Sequence, residues 1–124
     1  MSIQGAGSDA FIEQIRRAMD VISRRQQLVA ANVGNLDTPG YHAVDLDFDK
    51  ALQEAVRESV PTVSQALRSR EVEGLTVRPD GNNVSLDREM LALAQTKHRY
   101  EVSANLVRQR IRLMRYAISE GKAI

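Results

Sequence analysis

Apolar residues near the start of the chain recur at alternating spacings of three and four. Ile12, Ile15, Met19, Ile22, Gln26, Val29, Val33 and Leu36 make one stripe, and Gln26 is its only polar break. Residues three and four apart share one face of a helix, so the pattern predicts an amphipathic helix. Phe11, Ala18, Val21 and Leu28 widen the stripe, while Arg16, Arg17, Arg24 and Arg25 fall mostly off it, toward solvent. Ser8 or Asp9 is the expected N-cap, with Glu13 adding negative charge in the early turns. A helix over 9–33 would be about 37 Å long.

The second periodic segment is stricter. Leu86, Met90, Leu93, Lys97, Tyr100, Ala104, Val107, Ile111, Met114 and Ile118 keep the same alternation, and only Lys97 is polar. A run of this kind reads as a coiled-coil seam. Ser85 is its expected cap, Asp87 and Glu89 suit the first turns, and Gly121 is the expected stop. Over 86–120 the helix would be about 52 Å long.

Residues 37–84 follow neither period. Pro39, Pro61, Pro79, Gly40, Gly74 and Gly81 all lie there. A short helix is expected over Phe48–Ser59, capped by Asp47, with Leu52 and Val56 on one side. Residues 60–73 read as a polar loop. Leu75 and Val77 alternate with Thr76 and Arg78 before the turn Pro79-Asp80-Gly81-Asn82, which predicts a short hairpin or extended arm.

The expected fold is therefore mainly α: one unit over 1–124, with an N-terminal helix and its Asn-rich end (8–36), an irregular middle (37–84) and a C-terminal helix (85–121). The terminal helices should pack as an antiparallel or coiled-coil-like pair. Ile15, Met19, Ile22, Val29 and Val33 are expected to face Leu93, Tyr100, Val107, Ile111, Met114 and Ile118, within one chain or across chains. The two helices differ in length, so part of the C-terminal stripe needs a partner from outside the chain.

Composition narrows the chemistry. Aromatics are only 4% of the 124 residues and Cys is absent, which removes disulfides and thiolate metal sites. No apolar run approaches the roughly 20 residues that cross a bilayer. The start of the chain shows no basic segment followed by an apolar one, so no cleavable signal is expected. His42 and His98 lack ligand partners at helical spacing, and Asp45, Asp47 and Asp49 lack the glycine and glutamate of a calcium loop, so a solvated acidic stretch is expected there. No nucleophile elbow or phosphate loop occurs. The chain is expected to be no enzyme and to carry no cofactor.

Immediately after the first helix comes Ala31-Asn32-Val33-Gly34-Asn35-Leu36-Asp37-Thr38-Pro39-Gly40-Tyr41. Thr38-Pro39-Gly40-Tyr41 suits a type II turn, with proline presetting φ and glycine supplying a positive one. Asn32, Asn35 and Asp37 can bond backbone groups as the helix ends. This string resembles the signature of flagellar rod, hook and hook-associated proteins. A second match, Asp80-Gly81-Asn82-Asn83-Val84-Ser85-Leu86-Asp87-Arg88-Glu89-Met90 with Tyr100 beyond it, is similar to the short proximal-rod members of that family. Ser85 and Gly34 are mild departures, standing where an acidic residue and an alanine are common. The resemblance implies a non-enzymatic rod subunit whose terminal helices assemble in a helical array with its own copies and other rod proteins. It also implies contact with the basal-body membrane ring and its adaptor, a place in the periplasmic span of the basal body, and type III export without a cleaved signal. In that reading Asn32, Asn35, Thr38, Pro39, Gly40 and Tyr41 set the direction in which the middle leaves the helices.

Charge patterning supplies the alternative. From Lys97 to Lys122 there are seven Lys or Arg and two acids, a face that could meet nucleic-acid phosphates in a small helical binding or regulatory protein. Residues 43–60 hold five acids against two bases, and complementary patches suit subunit registry equally well. With no helix-turn-helix spacing evident, neither nucleic acid nor a small-molecule substrate is the expected partner.

Overall fold

In the computed structural model, residues 3–57 and 67–123 are described. The order is α1 (Ile3–Gly34), β1 (Val44–Asp45), α2 (Phe48–Arg57), β2 (Arg70–Glu71) and α3 (Leu86–Ala123). The fold is mainly helical, as the apolar periodicity requires. α1 packs against both α2 and α3. Asn32 meets Glu89, Arg25 meets Gln95, and Phe11 lies under Arg110. Moving back along α1 thus moves forward along α3, and the long helices run antiparallel.

Both long helices extend beyond their expected ends. α1 begins at Ile3, so Ser8 and Asp9 lie inside it; no proline precedes them to interrupt the backbone ladder. α3 passes through Gly121 to Ala123. One glycine costs a helix about 1 kcal/mol, too little to end it without a left-handed cap, and Gly121 does not adopt a positive φ. The cap at Ser85 is present. Its hydroxyl accepts from the Arg88 amide at 3.3 Å and its carbonyl from the Glu89 amide at 3.0 Å. Asp47 starts α2 in the same way, accepting from the amides of Lys50 and Ala51.

The middle is paired differently from the sequence expectation. The sheet is antiparallel, with Val44 opposite Glu71 and Asp45 opposite Arg70, so part of the expected 60–73 loop is strand. Residues 60–66 of that loop lie outside the described residues, as do the last two positions of the expected short helix. Leu75 and Val77 form no sheet. The tight reversal at Pro79 is there, closed by Gly81 N–H donating to the Arg78 carbonyl at 2.8 Å.

The apolar core lies between α1 and the segment from β1 through α2. Val21, Ile22 and Leu28 meet Leu46, Phe48, Ala51 and Ala55. Leu52 packs only at its edge and Val56 is exposed, because α2 turns Phe48, Ala51 and Ala55 inward. No α3 residue belongs to this cluster.

Candidate assembly site: a polar junction and the outer faces of the last helix

Where α1 ends, the two motif segments interlock. Tyr41 N–H donates to the Thr38 carbonyl at 3.2 Å and Gly40 has φ of 76°, so the expected turn is formed. Gly40 N–H then donates to the Asp80 carbonyl at 2.9 Å, and Asn83 N–H to the Tyr41 carbonyl at 3.2 Å. The Asn82 side chain reaches back with its amide, donating to the carbonyls of Asn35 and Thr38 at 2.9 Å each. Asn83 accepts from the Ala43 amide at 2.7 Å. Arg78 donates to the carbonyls of Leu36 and Val84. The contacts to Asn35, Leu36 and Thr38 satisfy carbonyls of the turns that follow α1, while the last-turn carbonyls of Ala31, Asn32 and Val33 accept from the amides of Asn35 and Leu36. Gly81, with φ of 87°, presses so closely on Gly40 that a Cβ on it would lie 3.2 Å from the Gly40 Cα.

Replacing Gly40 with valine is expected to leave helix content nearly unchanged while loosening this junction, since a β-branched residue resists positive φ at a cost of about 1–3 kcal/mol. Circular dichroism and a motility assay on the same variant check this. Normal rod formation would contradict it.

Beneath the turn lies a buried polar knot. Asn32, fully buried, donates to Glu89 Oε1 at 2.9 Å and to the Val44 carbonyl at 2.8 Å. It accepts from the Tyr41 hydroxyl and the Val44 amide, both at 3.0 Å. Glu89 is also fully buried and takes Arg88 at 3.1 Å. Arg88 continues to Asp45 at 2.7 Å, and Asp45 holds the Arg25 fork at 3.2 and 3.3 Å. The Arg25 guanidinium stacks over Phe48, 4.4 Å from the ring centre. Burial opposes the charge on Arg88, but hydrogen bonding to Asp45 and the charges of Asp45 and Glu89 outweigh it and raise its pKa. Burial, aided by the Glu89 charge, raises that of the Tyr41 phenol. Every buried charge in the knot has an opposite partner, the condition for burying charge at all.

Two sequence expectations are corrected here. Arg25 is buried, with 7% exposure, rather than turned to solvent, and Asp45 is buried with it rather than solvated. The inward stripe of α1 is Ile15, Ala18, Ile22, Arg25, Val29 and Asn32, one step round from the most apolar reading. Asp45 and Glu89 make that rotation favourable by supplying the partners that Arg25 and Asn32 need. Of the expected seam, Ile15, Ile22 and Val29 are buried, Met19 is half-buried and Val33 exposed. On α3, Val107 and Met114 are half-buried, whereas Leu93, Tyr100, Ile111 and Ile118 are exposed. His42 pairs with Glu71 at 3.2 Å and His98 is exposed. Asn82, Asn83, Arg78 and Glu89 join the expected site residues only in the structure. Glu89 looks like an ordinary first-turn acid, but the Asn82-Asn83 pair after Gly81 was a usable signal.

α3 turns Glu89, Ala92, Thr96 and Ser103 inward, and leaves apolar residues outside along two lines. One carries Leu86, Met90, Leu93, Tyr100, Ile111 and Ile118; the other carries Leu91, Val102, Leu106 and Leu113. At 3.6 residues per turn the lines lie roughly half a turn apart, flanking the inward face. Leu91 and Leu113 are more than 60% exposed. Among the described residues no group of His, Cys, Asp or Glu is placed to hold a metal, and no helix is long and apolar enough to cross a membrane.

A helical pair with a tightly built junction and unpaired apolar helix flanks is a subunit of a larger assembly. No family model matches the chain. It is 30% identical to the flagellar basal body rod protein FlgB of Salmonella typhimurium and 29% identical to that of Yersinia enterocolitica, in both cases over 91% of this chain and 96% of the relative. Against FlgB of Agrobacterium fabrum the identity is 30%, over 84% of this chain and 89% of the relative. The chain belongs to the FlgB family of flagellar basal body rod proteins. It is a structural component of the flagellar rod, located in the basal body, and works in assembly with other rod components.

Proposed function

We propose that the chain builds the proximal rod by laying the two exposed flanks of α3 against helices of different neighbours, copies of itself on some sides and other rod proteins on others. The observation that carries this reading is the placement of the flanks. Two apolar lines about half a turn apart cannot both be covered by one helix, and contacts of unlike faces propagate rather than close as a dimer. The basic residues between Lys97 and Lys122 and the acids around α2 supply charge complementarity for registry between subunits. The junction of Asn32, Asn35, Thr38, Pro39, Gly40 and Tyr41 with Asp80–Asn83 sets the path of the middle relative to the helical layer. Family membership supports a place in the periplasmic span beside the membrane ring and its adaptor, reached by flagellar export.

The test places a charge on each flank. Leu113→Glu and Ile118→Glu each change an exposed side chain, so the isolated chain should keep its stability within about 0.5 kcal/mol. Each should abolish or strongly reduce rod formation and motility when it is the sole copy in the cell. Ser119→Glu, on the exposed polar side, should be tolerated. Full motility with both flank variants would overturn the proposal.

A further inference from the structure

The face that α3 turns toward α1 is not its most apolar one. Glu89, Ala92, Thr96 and Ser103 point inward, while Leu86, Leu93, Tyr100 and Ile111 lie about a fifth of a turn away and stay exposed. Burial of apolar area is the dominant attraction between helices in water. On that ground alone α3 should roll until the line through Leu93 and Tyr100 rests on α1. The main apolar cluster offers little resistance, since it contains no α3 residue, and the buried apolar group that α3 contributes, Ala92, is small.

Charged and polar contacts oppose the roll. Arg88 reaches Asp45 at 2.7 Å, Glu89 receives Asn32 at 2.9 Å, and Gln95 receives Arg25 at 3.1 Å. All three contacts cross from α3 to α1 or β1. Rolling α3 would break them together and set buried Arg25, Asp45 and Asn32 against Leu and Tyr side chains. Buried groups stripped of partners are costly, and charges most of all.

We propose that the knot of Arg25, Asp45, Arg88, Glu89 and Asn32 is a rotational lock on α3. It holds the apolar line through Leu93, Tyr100 and Ile111 outward, ready for a neighbouring helix, and prevents the chain from closing on itself. The lock's biological consequence rests on the reading that this line is an assembly surface, but the lock itself is a property of the single chain.

The chain has no cysteine, so an introduced thiol is the only one present. Leu93→Cys and Thr96→Cys, made separately in the full chain, report on the outward and inward faces. With the knot intact, a maleimide should modify the thiol at 93 about tenfold or more faster than the thiol at 96, which is reached only through opening. In a variant carrying Arg25→Met, Asp45→Leu, Arg88→Met and Glu89→Gln, the order should invert while helix content is kept, and motility should be lost. An unchanged order in that folded variant overturns the lock. If the variant unfolds, both thiols react fast, and Arg88→Met alone decides, because it removes only a half-buried partner. Approach of the two rates then supports the lock, and an unchanged ratio overturns it. Inversion with normal motility would uphold the lock and count against the assembly reading instead.

Discussion

Asp45→Ala is expected to lower the unfolding free energy by about 3–5 kcal/mol, a large part of a small domain's stability. Asp45 is the shared acceptor of Arg25 and Arg88, and Arg25 is itself buried against Phe48. Removing the carboxylate leaves that guanidinium without its counter-charge in a place water reaches poorly, and breaks the link to Arg88 as well. Urea unfolding of the isolated chain, followed by far-ultraviolet circular dichroism, gives the number. Arg25→Met combined with Asp45→Leu should recover most of the loss, because packed apolar groups can replace a buried ion pair at little cost. A single Asp45→Ala variant as stable as the native chain would show that the pair is solvated.

Asn32→Leu is the second large effect, at about 3–5 kcal/mol by the same measurement. Leucine has the same branched skeleton and is somewhat larger, so no cavity arises and the loss is chiefly one of hydrogen bonds. Asn32 satisfies the Val44 amide and carbonyl, Glu89 and the Tyr41 hydroxyl at once, in a fully buried position. Leucine leaves all four without that partner. Tyr41→Phe removes one donor from the same group and should cost only about 1 kcal/mol. If the two variants were equally mild, Asn32 would not be the junction's organising residue.

Together these effects describe a chain whose interior holds a polar network and whose last helix leaves large apolar groups exposed. The main apolar cluster joins α1, Leu46 and α2, all within the chain. α3 is attached through small side chains, the knot and the half-buried Val107 and Met114, and most of its larger apolar groups remain outside. A monomer optimised for its own stability would have used α3 the other way round. Under the proposed reading a rod subunit does not, because its outward faces are kept for neighbours.

The helices, the capping serine and aspartate, the Thr38–Tyr41 turn and the need for partners were legible in the residues alone. Each depends on local chemistry or on periodicity: a cap on one side chain and the next amides, a turn on the φ preferences of Pro39 and Gly40, a stripe on spacing. Which stripe faces inward was not local. Counting apolar positions favours Gln26 and Val33 over Arg25 and Asn32, and sets Leu93 and Tyr100 against the α1 stripe, within one chain or across chains. The structure turns each helix by only part of a turn from that reading, because Asp45 and Glu89, far off in sequence, offer Arg25 and Asn32 the partners that make their burial possible. The partner of β1 was equally hidden, since a two-residue strand such as Arg70–Glu71 has too few positions to show a period. Spacing along the chain specifies which side chains share a face; only tertiary contact supplies the opposite charge or the open backbone group that decides which face is covered.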